Sequence, residues 1–145
     1  MCCKIYDKRT KRVLRTLKEH GGKCIMWKVL YKKTIIDGKW VLIAPWRETH
    51  YDSGWNISDR ESKTLTKFEK ASHEIHHGLH VFTNKPSAIK FAHTWEVVVP
   101  VVVYKKDFLA AGKSYDAVFT KIFIKKKDFN EALQTMRSSS FMEGA

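Results

Sequence analysis

His73-Glu74-Ile75-His76-His77 satisfies the pattern H-E-x-x-H. On a helix, histidines four residues apart share a face and can ligate zinc, with the glutamate as base. His73 and His77 are therefore candidate metal ligands, and Glu96 is a conceivable third donor. Two features oppose this reading. Gly78 follows at once, which puts His77 where a helix should be ending, and Glu96 opens a β-rich run. The competing reading is a polar helix end with partly exposed histidines.

A second constellation alternates cations with flat rings. Trp27-Lys28, Tyr31-Lys32-Lys33, Lys39-Trp40, Trp46-Arg47 and Tyr104-Lys105-Lys106 each pair the two. Nucleotides are bound by such pairs, the cation meeting phosphate and the ring stacking a base. On strands the same pattern arises when rings enter the core and cations face water. That plainer reading is preferred for Trp27 and Trp40. Trp46, Tyr51 and Trp55 fall in a stretch that reads as loop, where ligand contact is more credible. Other motifs are missing from the sequence. It has no glycine-rich phosphate loop, no G-x-S-x-G elbow and no cysteine pair at zinc-finger spacing.

Gly78-Leu79-His80-Val81-Phe82, followed by a helix carrying Ala88 and Phe91, resembles the central strand and helix of PARP-like ADP-ribosyltransferases. In that family a G-x-x-[IV]-[YF] strand leads into a helix beneath the NAD site. Two long strands follow, the second bearing the catalytic acid. The resemblance covers about residues 25–125 and implies Val97–Val103 and Ala117–Ile124 as those strands, with Asp116 near the acid's place. The chain departs from the pattern in two ways. The early strand ends Leu30-Tyr31-Lys32-Lys33 instead of His-Gly, and the acid is aspartate instead of glutamate. What the resemblance implies is a degenerate, binding-only version. The Gly-x-His-x-Phe strand also resembles small bacteriophage-encoded proteins, which implies a factor acting on host defence.

These residues are carried by a strongly basic chain. Its 145 residues hold 27 Lys+Arg against 15 acids, a formal charge of +12. An excess of this size favours polyanions or acidic proteins as partners and says little about fold. The excess is uneven, with twelve Lys/Arg and three acids in residues 1–40. Hydrophobic residues make up 43%, enough for a packed core. Three cysteines, two of them adjacent, do not make a disulfide framework. No secretory segment or long apolar run is visible, so a cytoplasmic setting without membrane contact is expected.

The elements follow from period and punctuation. Lys8–His20 predicts a basic helix with Val13, Leu14 and Leu17 inward, stopped by Gly21-Gly22. Cys24–Tyr31 and Lys39–Ile43 read as strands, with Asp37-Gly38 as the turn of a hairpin between them. Ala44–Asn56 reads as loop. Ser58 to Glu61 fits a capping box that opens a helix ending by Gly78. Leu79–Phe82 is a short strand, and Pro86 starts a helix to about His93. Glu96–Tyr104 is a strand expected to be buried on both faces, with Pro100 arguing for a bulge or an edge. Tyr115–Ile124 is its antiparallel neighbour. Asp128 and Glu131 are expected to cap a last helix over about 129–137.

The expected fold is therefore α+β, one domain over 1–145 with a mainly antiparallel sheet and three to four short helices. A basic helical arm (about 1–22) precedes it, and a frayed tail (about 138–145) follows. The expected function is non-enzymatic binding of nucleic acid or a nucleotide-containing anion. Arg9, Arg12, Arg15, Lys32, Lys33 and Arg47 would meet phosphates, and Trp46, Tyr51 and Trp55 would stack. No resident cofactor is expected, with zinc and NAD as alternatives. The competing functions are an inhibitor docking on an acidic protein surface, a diverged ADP-ribosyltransferase and a zinc hydrolase.

Overall fold

A computed structural model describes residues 3–45, 49–58, 65–75 and 77–136. Its elements in chain order begin with β1 (Cys3–Lys4), α1 (Asp7–Glu19), β2 (Lys23–Leu30), β3 (Lys32–Ile36), β4 (Lys39–Ile43), β5 (His50–Tyr51) and β6 (Gly54–Ile57). Then come α2 (Lys67–Ser72), β7 (Glu74–Ile75), β8 (Leu79–Phe82), α3 (Lys85–Phe91) and β9 (Val97–Tyr104). A 3₁₀ turn at Lys105–Asp107 leads to β10 (Phe108–Ala111), β11 (Asp116–Phe119), β12 (Lys121–Ile124) and α4 (Lys126–Thr135).

The main sheet runs β10-β11-β8-β2-β9-β12-β6, with every neighbouring pair antiparallel. A three-stranded sheet, β3-β4-β5, and a β1-β7 pair complete an α+β domain. Its centre is the β2·β9 pair, in continuous register from Lys23↔Tyr104 to Leu30↔Val97. Val99, Val101 and Val103 of β9 are buried, while the alternate residues are only partly covered. The expectation of burial on both faces is therefore met on one. Pro100 sits on this interior strand opposite Trp27, neither at an edge nor in a bulge. It lies two residues before Val102, where β12 pairs through Phe123, so its missing N–H falls outside the β9–β12 pairing.

α1 forms because Val13 and Leu17, four apart, are both buried. Burying two such side chains contributes on the order of 3–6 kcal/mol. Leu14 stays 40% exposed, so the apolar stripe is narrower than its sequence suggests. Thr10 pins the helix to the sheet, its Oγ1 donating to Ala111 O and accepting from Ala111 N. Gly22 N then closes on Leu17 O at 2.8 Å. The basic segment is thus packed against the sheet.

Other expectations are corrected by long-range pairing. The Asp37-Gly38 turn does make a hairpin, but its first arm is β3, because β2 is claimed by β9 and β8. The stretch read as loop contains β5, which extends the hairpin, and β6, the edge strand beside β12. Tyr115–Ile124 breaks at Thr120 into two strands with different neighbours, β11 between β10 and β8 and β12 between β9 and β6. β10 was not legible beforehand. Ser58 follows β6, its N–H donating to Thr120 O at 2.8 Å and its hydroxyl accepting from Gly78 N at 3.2 Å. The rest of its supposed capping box lies outside the described residues. The capping box that forms is Thr66 with Glu69, at the head of α2. That helix ends at Ser72, well short of Gly78. α4 starts from Lys125 without a side-chain cap, so Asp128 lies inside the helix. The tail at 138–145 lies outside the described residues.

Candidate functional site

Although β2 and β9 pair over eight residues, β2 and β8 meet at a single pair, Trp27↔Phe82. Where a ladder is not continued, its main-chain groups need other partners. Lys28 provides one, its Nζ donating to His80 O at 2.6 Å across the parting strands. The Lys28 side chain is 7% exposed and lies over the Tyr51 ring, 5.0 Å from its centroid. Among the described residues it has no carboxylate within ion-pair distance. Burial lowers its pKa from the usual lysine value to about 7. A buried amine held by a carbonyl and a ring face is costly to keep charged.

A cleft opens at this split, with about 590 Å3 of space counting its mouth. Lys28, Tyr51, His80, Phe82, Phe91 and Asp116 line it, with Pro45 and Thr49 at one side. Phe82 and Phe91 pack ring to ring at 5.0 Å, joining β8 to α3. Asp116, 8% exposed, stands opposite Phe82 at the start of β11. Its Oδ1 accepts from Ser114 N at 3.2 Å. Two glycines permit this packing. A Cβ on Gly112 would collide with the Asp116 carboxylate. Gly78, at φ +95°, lies against the Val118 side chain, which a Cβ would meet at 2.5 Å. The lining is mostly apolar with a few convergent polar groups, the usual make-up of a small-molecule site.

The residues expected from sequence do not converge on one place. Tyr51 is in the cleft, on β5 and 1% exposed, as the ring beneath Lys28. Trp46 and Arg47 lie outside the described residues. Arg9 and Arg12 line a separate trough between α1 and β2, whereas Arg15 is exposed and does not line it. Lys32 lies over Tyr31. Lys33 Nζ donates to Leu133 O at 2.6 Å near the C-terminus of α4, where a cation offsets the helix dipole. Trp55 is on edge strand β6, packed on Tyr104 and Phe123 with Lys121 above it.

The helical geometry needed by H-E-x-x-H is not formed. His73 is the left-handed C-cap of α2 at φ 57°, Glu74 begins β7, and His77 is fully buried. His77 Nδ1 lies 2.7 Å from Glu69 Oε2, while Glu69 Oε1 accepts from Thr66 N at 2.9 Å. One carboxylate thus caps a helix and anchors a buried imidazole. Among the described residues no cluster of three His, Cys, Asp or Glu could hold a metal ion.

Lys28 was passed over in the sequence because Trp27-Lys28 reads as an inward ring beside an outward cation. A signal was nevertheless present. Met26, Lys28 and Leu30 share one face by strand alternation, and their apolar members mark it as the buried one.

The class these features define is an α+β domain with a mainly antiparallel sheet split over a lysine-bearing cleft. Compared with family models, curated proteins and solved structures, the chain matches none. No described helix is long and apolar enough to cross a membrane.

Proposed function

We propose that this chain is a non-enzymatic binding protein for a nucleotide-containing anion, held in the cleft between β2 and β8. The observation that carries this reading is the placement of Lys28. An amine buried with no carboxylate partner among the described residues meets an anionic group in a low-dielectric setting, where the attraction is strong. Phe82 and Phe91 offer rings to a base, and His80 offers polar contact. The resemblance of Gly78–Phe82 to a strand that leads into a helix beneath a NAD site supports the same reading, because β8 and Phe91 of α3 line this cleft.

Calorimetric titration with NAD, ADP-ribose and ATP tests it. At least one of them should bind to the wild type, and Lys28→Met should weaken that binding about 100-fold, the effect of losing a buried charge partner. Equal affinity in the variant would sink the reading. A second reading, a diverged ADP-ribosyltransferase, is favoured by Asp116 lying in the same cleft. Release of nicotinamide from NAD by the wild type, but not by Asp116→Asn, would select it.

A further inference from the structure

We propose that the trough between α1 and β2 is a second binding site, for single-stranded nucleic acid, independent of the cleft. It encloses about 870 Å3 counting its open mouth, and among the described residues no acid lines it. Arg9 and Arg12, three apart on α1, enter it together with His20 at the helix end. Among the described residues Arg9 makes no ion pair, and its Nε is buried without a hydrogen-bond partner. Cations without neutralising carboxylates leave a positive field over the trough, which suits phosphates.

The trough also presents rings. Trp27 lines it from β2, and Tyr115, 46% exposed, lines it from the turn before β11. The Arg9 guanidinium lies over the Tyr115 ring at 4.1 Å, a flat cation on a flat ring. Tyr115 is held at φ 63°, a conformation that costs a non-glycine residue on the order of 1 kcal/mol. Two donors fix it there, Thr83 N at 2.8 Å and Thr83 Oγ1 at 3.1 Å, both reaching Tyr115 O. The strained turn holds the ring in the trough.

These features favour a single strand. Rings reach base faces only where bases are unstacked, which a duplex forbids. The trough and the cleft share strands but use consecutive residues, Trp27 beside Lys28 and Tyr115 beside Asp116. Trp27 and Lys28 are consecutive on β2 and point to opposite faces, and Tyr115 belongs to the left-handed turn that precedes Asp116, so each site can be altered alone.

The test is fluorescence anisotropy of the whole protein with a labelled oligothymidylate, the matching duplex and a polyglutamate competitor, from about 50 to about 200 mM salt. Arg12→Gln should weaken oligothymidylate binding several-fold and flatten the log–log salt slope by about 0.7, one phosphate contact on a single strand. Tyr115→Gly should weaken it about tenfold, as loss of a stacking ring does. Because glycine suits that backbone, its urea midpoint should not fall, which separates lost contact from misfolding. Lys11→Gln, an equal charge loss elsewhere on α1, should leave the slope unchanged, and Lys28→Met should leave oligothymidylate affinity unchanged. The proposal fails if Lys11→Gln matches Arg12→Gln, if duplex binds more tightly than single strand, if polyglutamate displaces the oligonucleotide, or if Lys28→Met abolishes binding.

Discussion

The cleft and the trough use the same kind of charge under opposite physical conditions. Lys28 is buried, held by one main-chain carbonyl and weakly screened by salt. Arg12 on α1 is exposed and costs little to keep charged, but its field is screened within about 8–10 Å at ordinary ionic strength. A buried cation lowers stability in return for a strong local interaction. Surface cations raise long-range attraction while leaving the fold unburdened. Net charge adds the two without distinction, which is why +12 was uninformative about where either site lies.

The sharpest way to break this contrast is the stability of Lys28→Met. The folded-state pKa of Lys28, about 7, lies below its unfolded value, so the unfolded chain binds more protons between the two. Wild-type stability should therefore rise with pH from about 7 to about 10, by on the order of 4 kcal/mol. Methionine fills similar space without a charge to desolvate, though it leaves the His80 carbonyl short of a donor. The variant should be more stable than wild type by about 2 kcal/mol at pH 6, and its curve should lack the rise. Urea denaturation at pH 6 and pH 9.5 reads both. A variant less stable than wild type at pH 6 would mean that Lys28 is a structural linchpin.

A smaller effect separates the two sites by ligand. Nucleotide affinity in the cleft should weaken as pH rises through about 7, by at most about tenfold per unit, as Lys28 loses its proton. Oligonucleotide affinity in the trough should barely change from pH 7 to pH 9, because arginine stays charged throughout. Parallel titrations at three pH values would show it. Parallel decline of both would join the sites into one.

The smallest effect provides a control. Thr66→Ala removes the hydroxyl that accepts from Glu69 N at the head of α2, and leaves the Thr66 N–H and His77 on the Glu69 carboxylate. It should lower stability by about 1 kcal/mol and change neither affinity. Loss of either affinity would extend that site to the Glu69–His77 pair.

Local signals were reliable where a segment's own pattern sufficed. α1, β2, β4, β8, α3, β9 and α4 are all near their expected places, because period, glycine stops and Pro86 act within a few residues. Tyr51 was singled out for its type, but the reason given, a ring on a loop, was wrong. It is a buried ring because β5 pairs with β4. Trp27 was assigned to the core; it packs against the core while half-buried, and its other side lines the trough. H-E-x-x-H failed as a helical motif because α2 stops at Ser72 and β1 recruits Glu74-Ile75 into a strand pair.

By itself, the sequence determined the α+β class, the basic surface and most of the elements, since these depend on composition and on spacing along the chain. Only tertiary structure decided that β2 takes β9 as its full partner and leaves β8 after one pair, which opens the cleft and turns Lys28 inward against His80. Strand pairing is a competition among segments far apart in the chain. Its outcome depends on which pairs bury the most apolar surface together, and no local window contains that information.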